Sequence, residues 1–256
     1  MIVCRSAAEL DRMQEAGRLV GEVLTELAAH VAPGVSTADL DALAEKRIVA
    51  AGAIPAFKGY HGYPATICAS INEEVIHGIP STRRLLAEGD IISIDVGASL
   101  GGYFGDSAIS LPVGKVSEQA ATLLRVTEES LYKAIERVRP GGRVSDIGHA
   151  VQKHVEAFGF SVVRDFVGHG IGEQMHEEPQ VPNYGEPGRG PRLAEGMVLA
   201  IEPMVNAGKA AVKVLADGWT AVTKDGSLAA HFEHTVAVTS GEPRILTARV
   251  PVAHAL

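Results

Sequence analysis

Residues Leu86–Leu111, LAEGDIISIDVGASLGGYFGDSAISL, decide how the rest of the chain is read. The stretch predicts two strands and a tight turn. Ile91, Ile92, Ile94 and Val96 give the first arm its β-branched density. Gly101-Gly102 supplies the turn, because glycine accepts positive φ at little steric cost. Tyr103 to Leu111 is the return arm. With the tip at Leu100 and Gly101, Asp95 falls opposite Asp106. Opposed residues in an antiparallel pair share one face, with α-carbons about 4.5–5.5 Å apart. Two carboxylates that close, on otherwise apolar arms, repel unless a cation sits between them. The plain alternative is that the register slips and one aspartate is a turn or edge residue.

The rest of the composition narrows the classes. The chain has 256 residues, 46% hydrophobic and 21% charged, ordinary for a globular protein with a sizeable core. Its net charge of −8 argues against bulk electrostatic attraction to nucleic acid. Cys4 and Cys68 are the only cysteines, so there is no disulfide framework and no four-cysteine zinc site; a reducing cytoplasm fits best. The N-terminal stretch MIVCRSAAELDRM has no apolar signal region, and apolar runs such as Met197 to Ile201 are far too short to span a bilayer.

Outward from the central stretch, helical spacing of Leu10, Met13, Val20, Leu24, Leu27 and Val31 predicts a helix over 7–31, ended by Pro33-Gly34. Ser36 or Thr37 caps a second helix, which carries Asp39 in its first turn and stops at Gly52. A glycine- and proline-punctuated, strand-like segment, FKGYHGYPATICASINEEVIHGIP, leads into the hairpin. From about Ser117 the plan restarts, with a helix over 123–138, a break at Pro140-Gly141, and a helix from Ser145-Asp146 to Gly159. Sliding the chain by 107 residues brings Pro33-Gly34 onto Pro140-Gly141, Asp39 onto Asp146, Gly52 onto Gly159, Leu86-Ala87-Glu88-Gly89 onto Leu193-Ala194-Glu195-Gly196, and Asp95 onto Glu202. We read one catalytic domain, 1–256, with an internal repeat of about 7–113 and 114–250. Equivalent strands packed about a pseudo-two-fold axis would bring Asp95 and Glu202 together. Asp217-Gly218 and Asp225-Gly226 predict two further hairpins, and the last strand carries Glu233. An exposed edge glutamate is the plain reading of Glu233.

Four carboxylates in apolar or glycine-tight settings (Asp95, Asp106, Glu202, Glu233) and one imidazole (His169, in VGHGIG) carry about −4 and would balance two divalent cations. A set rich in oxygen with one histidine disfavours structural zinc and suits Mn, Fe, Co or a catalytic Zn. Two such metals a few Å apart generate a bridging hydroxide near neutral pH and polarise a carbonyl, the chemistry of amide hydrolysis. His77 in VIHGIP and His176 in MHEEP stand in similarly tight loops. A lone histidine is more often packed than catalytic, but here glycine and proline flank both.

In this order and spacing, GYHGYP, ASINEEVIHGIP, IDVG, GDSAISL, GHGIG, MHEEPQVPNY, AIEPM and FEHTVAVT resemble the methionine aminopeptidases of type I, over roughly 7–250. The resemblance implies the pseudo-symmetric pita-bread fold shared with prolidases and creatinases, an α/β domain with an antiparallel sheet core covered by helices. It implies removal of the initiator methionine from nascent chains when the second residue is small. Two divalent ions (Mn, Fe, Co, Zn or Mg) would be held by Asp95, Asp106, His169, Glu202 and Glu233, with Asp106 and Glu233 bridging. Glu202 would take the proton of the attacking water. His176 would hydrogen-bond the scissile carbonyl oxygen, and His77 would contact the amide nitrogen. The methionine pocket would include Tyr60, Tyr63, Cys68, Met175 and Trp219, whose aromatic and sulfur groups suit a thioether. Phe57 stands where a cysteine is common, and Met175 where an aromatic is common, which changes pocket shape rather than the reaction. The long insertion and zinc-binding N-terminal extension of other family members are missing. Implied partners are nascent polypeptides and the ribosome, with no membrane, no direct nucleic-acid contact and a monomeric, cytoplasmic protein. Competing readings are a related peptidase that cuts before proline, and a non-enzymatic binding module that kept the fold. All five ligand positions are filled, against the second of these.

Overall fold

The computed structural model describes residues 1–249; the last seven residues, and with them the C-terminal limits drawn above at 250 and 256, lie outside the described part. Among the described residues, helix α1 (Ala7–His30) and helix α2 (Thr37–Ala50) precede strand β1 (Ile54–Pro55), a single 3-10 turn at Tyr60–Gly62, β2 (Ile67–Ile71) and β3 (Glu74–Ile76). The hairpin β4 (Ile91–Leu100) and β5 (Tyr103–Pro112) follows. Next come α3 (Glu118–Ile135), α4 (Val144–Ala157), β6 (Ser161–Val162), β7 (Gly168–Gly170), β8 (Glu177–Val181), β9 (Val198–Ile201) and β10 (Met204–Asn206). The chain closes with β11 (Val212–Val214), β12 (Ala221–Thr223), β13 (Ala229–His231), β14 (His234–Ala237) and β15 (Arg244–Ile245). The strands form four antiparallel sheets. β4 carries β1 and β2 on one side and β5 on the other. The remaining orders are β13-β10-β6, β11-β12-β3 and β15-β14-β9-β7-β8.

Local chemistry sets the element ends. Ser6 with Glu9, and Ser36 with Asp39, form capping boxes that satisfy orphan N–H groups at the starts of α1 and α2. α3 begins five residues earlier than the apolar spacing alone indicates, because the Ser117 hydroxyl caps it by accepting from the Ala120 N–H. Its first turn buries only Ala120 and carries no stripe of large apolar residues to betray it. Gly101 and Gly102, at φ 59° and 85°, make the two-residue hairpin turn. α1 lies directly on β5: a side chain at Gly105 would come within 2.9 Å of the Gly17 backbone.

Elements recur 107 residues apart. α2 is matched by α4 and β1 by β6, while β4 is matched by β9 and β10 together. The isolated bridge Ser36↔Leu85 is matched by Arg143↔Arg192, and the Gly34 N–H to Leu86 bond by that from Gly141 to Leu193. Two large apolar clusters follow the same division. Leu19, Leu24, Leu40, Ile48, Ile92 and Ile94 belong to one, and Leu123, Leu131, Ile147, Val151, Leu199 and Val236 to the other.

Three expectations need correction. The β4–β5 register is shifted by two residues. The turn is Gly101-Gly102, so Leu100 pairs with Tyr103, Asp95 faces Ala108, and Asp106 faces Gly97. Because the shift is even, both aspartates stay on one face as diagonal neighbours. Asp217-Gly218 does connect the paired strands β11 and β12, but Asp225-Gly226 does not close a hairpin: β12 pairs with β3, and β13 with β10. Finally, Glu233 is not inside a strand. It sits in the gap between β13 and β14 and is 1% exposed, so it is no edge residue.

Candidate metal centre and substrate cavity

The hairpin β4–β5 presents Asp95 and Asp106 on one face, and β2 places Cys68 opposite Asp95. Asp106 is fixed from both sides of its peptide: its N–H donates to Thr235 Oγ1 at 3.1 Å, and that hydroxyl donates to the Asp106 carbonyl at 2.8 Å. The Glu233 N–H donates to the Ala108 carbonyl at 2.9 Å, which brings the β13–β14 gap against β5. Glu202 follows β9, and Asn183 holds its carbonyl through Nδ2 at 2.9 Å. His169 lies on β7 beside β9, paired with Ala200.

These residues meet in one cavity of about 270 Å³. Its lining includes Asp95, Asp106, His169, Glu202 and Glu233, as well as His77, His176 and every residue expected in the methionine pocket. Donor atoms of Asp106, His169 and Glu233 lie within 4.8 Å of one another. His169 Nε2 is 3.8 Å from Asp106 Oδ2 and 3.6 Å from Glu202 Oε1. Such separations exceed a hydrogen bond but match two ligands sharing one ion at about 2.0–2.2 Å each.

The electrostatics favour the same reading. Burial, then Glu233 and Asp95, push the Asp106 carboxyl well above the carboxylate range. Burial, then Asp106 and Asp95, do the same to Glu202; burial, then Glu202 and Asp95, to Glu233. Asp95 is pushed up to about 7, chiefly by burial. Asp95 Oδ1, Asp106 Oδ1 and Glu233 Oε1 are buried with no hydrogen-bond partner. His169 Nδ1 lies 2.9 Å from the Gly170 carbonyl, so the ring donates there and turns the Nε2 lone pair toward the acids. Burial lowers its pKa to about 4, leaving a neutral imidazole able to bind metal at neutral pH. Clustered carboxylates, orphaned oxygens and an oriented neutral imidazole fit divalent cations.

On the other side the cavity is apolar. Tyr63, Cys68, Met175 and Phe57 are buried, and Phe57 packs against the backbone of Gly97. Trp219 meets the ring of Tyr63 edge-on at 5.1 Å and lies 6.2 Å from that of His77. The Tyr63 hydroxyl is spent on the carbonyls of Ile67 and Gly78, so it presents only its ring. His77 adopts φ 60°, uncommon outside glycine, with its ring between Trp219 and Phe166. His176 stands at the mouth, its Nδ1 2.8 Å from the Tyr60 hydroxyl.

Two neighbours escaped the sequence reading. His61, in GYHGYP, lines the cavity, and its placement inside an already suspect motif was the available signal. His231 is buried with Nε2 3.7 Å from Glu202 Oε2 and without a hydrogen-bond partner. It precedes Glu233 by two positions, and that proximity was the available signal.

The sequence pattern that defines metallopeptidase family M24 matches residues 11–240. The chain is 58% identical to a methionine aminopeptidase of Clostridium acetobutylicum over 96% of its own length and 99% of the relative's. The chain belongs to metallopeptidase family M24, among the methionine aminopeptidases. It is 57% identical to methionine aminopeptidase 1 of Bacillus subtilis, again over 96% of this chain and 99% of that one. The crystal structure of a Thermotoga maritima methionine aminopeptidase superposes with a TM-score of 0.95 at 47% identity, covering 96% of this chain and 99% of that one. A Pyrococcus horikoshii prolidase, at 22% identity and a TM-score of 0.79, covers 98% of this chain and 65% of that one and shares the fold alone. This M24 enzyme therefore has the pita-bread α/β architecture.

Proposed function

We propose that this M24 enzyme removes the N-terminal methionine from nascent proteins and peptides whose second residue is small. It would act in the cytoplasm as a monomer, on chains at the ribosome or newly released. The observation that carries the reading is the single cavity in which an apolar, sulfur- and aromatic-lined pocket ends on a cluster of carboxylates and one imidazole. A cavity of about 270 Å³ has room for a methionine side chain beside the acids. We further infer a single catalytic domain of two repeats, about 7–113 and 114–250.

Asp95, Asp106, His169, Glu202 and Glu233 would hold two divalent ions drawn from Mn, Fe, Co, Zn or Mg. When bound, such ions act as Lewis acids that acidify water and polarise a carbonyl. The chain's own residues do the rest. Glu202, which lines the cavity beside the other acids, would take a proton from the attacking water. Partial desolvation, then the nearby His61, lowers the His176 pKa below its ordinary value. With the Tyr60 O–H donating to Nδ1, the ring carries its proton on Nε2 and offers it to the scissile carbonyl oxygen as charge develops there. His77, also neutral, holds the amide nitrogen side. Tyr60, Tyr63, Cys68, Met175, Trp219 and Phe57 grip the methionine side chain.

Turnover of Met-Ala-Ser and Ala-Pro peptides by the metal-stripped enzyme, with each metal restored in turn, tests this. Release of methionine from the first peptide alone is expected. Cleavage of only the second, or turnover indifferent to metal, would refute it.

A further inference from the structure

We infer that Arg5 is a positioning residue for His176, reaching from the N-terminal arm to lock the loop that carries it; the inference rests on the role proposed above for His176. Residues 172–176, which include Met175 and His176, form bends outside any strand, and their one backbone bond to another element is from the Phe104 N–H to the Gly172 carbonyl at 2.9 Å. Beyond Gly172, an ion-pair cluster ties the loop down. The guanidinium of Arg5, whose side chain is 5% exposed, reaches both carboxylate oxygens of Glu177 at 2.6 and 2.7 Å from one nitrogen. Glu173 and Glu9 lie 3.5 and 3.7 Å from its other terminal nitrogen. Glu177 Oε1 also accepts the Gln174 N–H at 3.1 Å, so one carboxylate ties the loop to itself and to the arm.

The fit around Arg5 is close. A side chain at Gly172 would collide with the guanidinium, so the loop passes directly beneath it. The Arg5 N–H donates to the Gly196 carbonyl at 2.7 Å, and a side chain at Gly196 would meet the Arg5 backbone at 2.5 Å. Both ends of the arginine are therefore fixed, its backbone at the turn before β9 and its head over the loop. Removing the head leaves the partly buried Glu177 without its cation, and such a carboxylate moves toward water. Glu177 begins β8, where it pairs with Gly170, so what its carboxylate releases on moving is the Gln174 N–H, and with that tie lost the loop that carries the imidazole loosens. A shift of about 1 Å at a reacting group lowers turnover on the order of 10²-fold.

The test is a double-mutant cycle, with kcat, KM and metal content measured on a Met-Ala-Ser peptide. Arg5→Ala should lower kcat by about 10–100-fold, with KM within about threefold and metal content unchanged. In a His176→Ala background the same change should lower kcat by less than about twofold, because the group it positions is gone. Arg5→Lys should recover part of the loss by restoring the charge, and Glu177→Gln, which keeps shape without charge, should fall with Arg5→Ala. Full kcat in Arg5→Ala or Glu177→Gln overturns the inference, as does an equal fold-loss with and without His176. Should Arg5→Ala not fold, Arg5→Lys and Glu177→Gln run the same cycle. Full activity of His176→Ala would instead refute the role given to that histidine.

Discussion

Stripping the metal from this enzyme should make its stability fall as pH rises from 7 to 8.5, the reverse of a protein held by ionised carboxylates. Asp95 is pushed up to about 7 from 3.8, so keeping it ionised in the folded state costs about 4 kcal/mol. Asp106, Glu202 and Glu233 are pushed well above their ordinary range. The sign follows from proton counts. A carboxyl whose folded pKa is raised holds a proton that the unfolded chain has released, so its stabilising contribution is full below the unfolded pKa and is lost as pH rises through the folded one. Each group still protonated across that interval contributes a loss of about 2 kcal/mol. The histidines do not offset this. His77 and His169 are lowered to about 4 and His231 to about 3, so their stabilising contribution is complete above the ordinary histidine pKa and fades only as pH falls toward 4. The Cys68 thiol, pushed up by burial, adds a loss of the same sign near pH 8.5. Asp106→Asn leaves that thiol in place and serves as the control. In EDTA, calorimetry should show the wild-type Tm lower at pH 8.5 than at pH 7 by about 4 °C or more. Asp106→Asn should flatten the slope by about one group and be the more stable protein at pH 8.5. Saturating Mn²⁺ should reverse the trend in wild type and not in the variant. A metal-free wild type whose Tm is flat or rises over this interval, or an Asp106→Asn variant less stable at pH 8.5, would refute the reasoning.

Glu233→Ala or Asp106→Ala should lose metal binding and turnover together, read by metal analysis beside peptide hydrolysis; near-normal turnover without added metal would contradict the proposed centre. His176→Ala and His77→Ala should keep metal and fold while kcat falls, by about 10²–10³-fold for the carbonyl donor, with KM changing less. Loss of metal in either would make it a ligand or a ligand's support. Gly105→Val should lower stability by about 1–3 kcal/mol in a denaturant titration, because its side chain has no room against the α1 backbone; an unchanged midpoint would mean that α1 can lift from β5.

Much of this fold is legible because local rules act within a few residues. The caps at Ser36 and Asp39, the breaks at Gly52 and Gly159 and the glycine pair of the central turn all sit where their φ angles and hydrogen bonds require them. What escaped was set at longer range. A two-residue slip in register keeps every side chain on its face, so the apolar pattern of β4 and β5 fits both pairings, and only the turn geometry chooses. Asp225-Gly226 is a good turn pair, yet β3 comes from the other half of the chain to take the edge of β12. The acids of the cavity were visible as charges in apolar runs, which burial rarely tolerates without a counter-charge. His61 and His231 offered no such contrast. Arg5, near the chain start and far in sequence from Glu177, gave no local sign of its partner.

Positions 107 residues apart reach the cavity by different means, and the difference lies in where the ladders break. β4 runs unbroken through Asp95, so that aspartate is delivered by ordinary strand alternation. In the matching segment the ladder lapses at Glu202-Pro203, between β9 and β10, and the facing segment lapses at Phe232-Glu233, between β13 and β14. Pro203 has no N–H to give a ladder, while its carbonyl accepts the Phe232 N–H. At this double break the two strands leave one sheet and enter another: β9 and β14 pair on one side, β10 and β13 on the other. A residue at such a break is released from strict alternation. Glu233 uses that freedom to send its N–H to Ala108 of β5 rather than to its own sheet. The strand that carries Asp106 thus becomes the surface on which Glu233 is aligned, and the Asp106 peptide is itself bonded to Thr235, two residues further on. Four carboxylates that repel one another stay together because the backbone bonds that place them are satisfied independently of their charge.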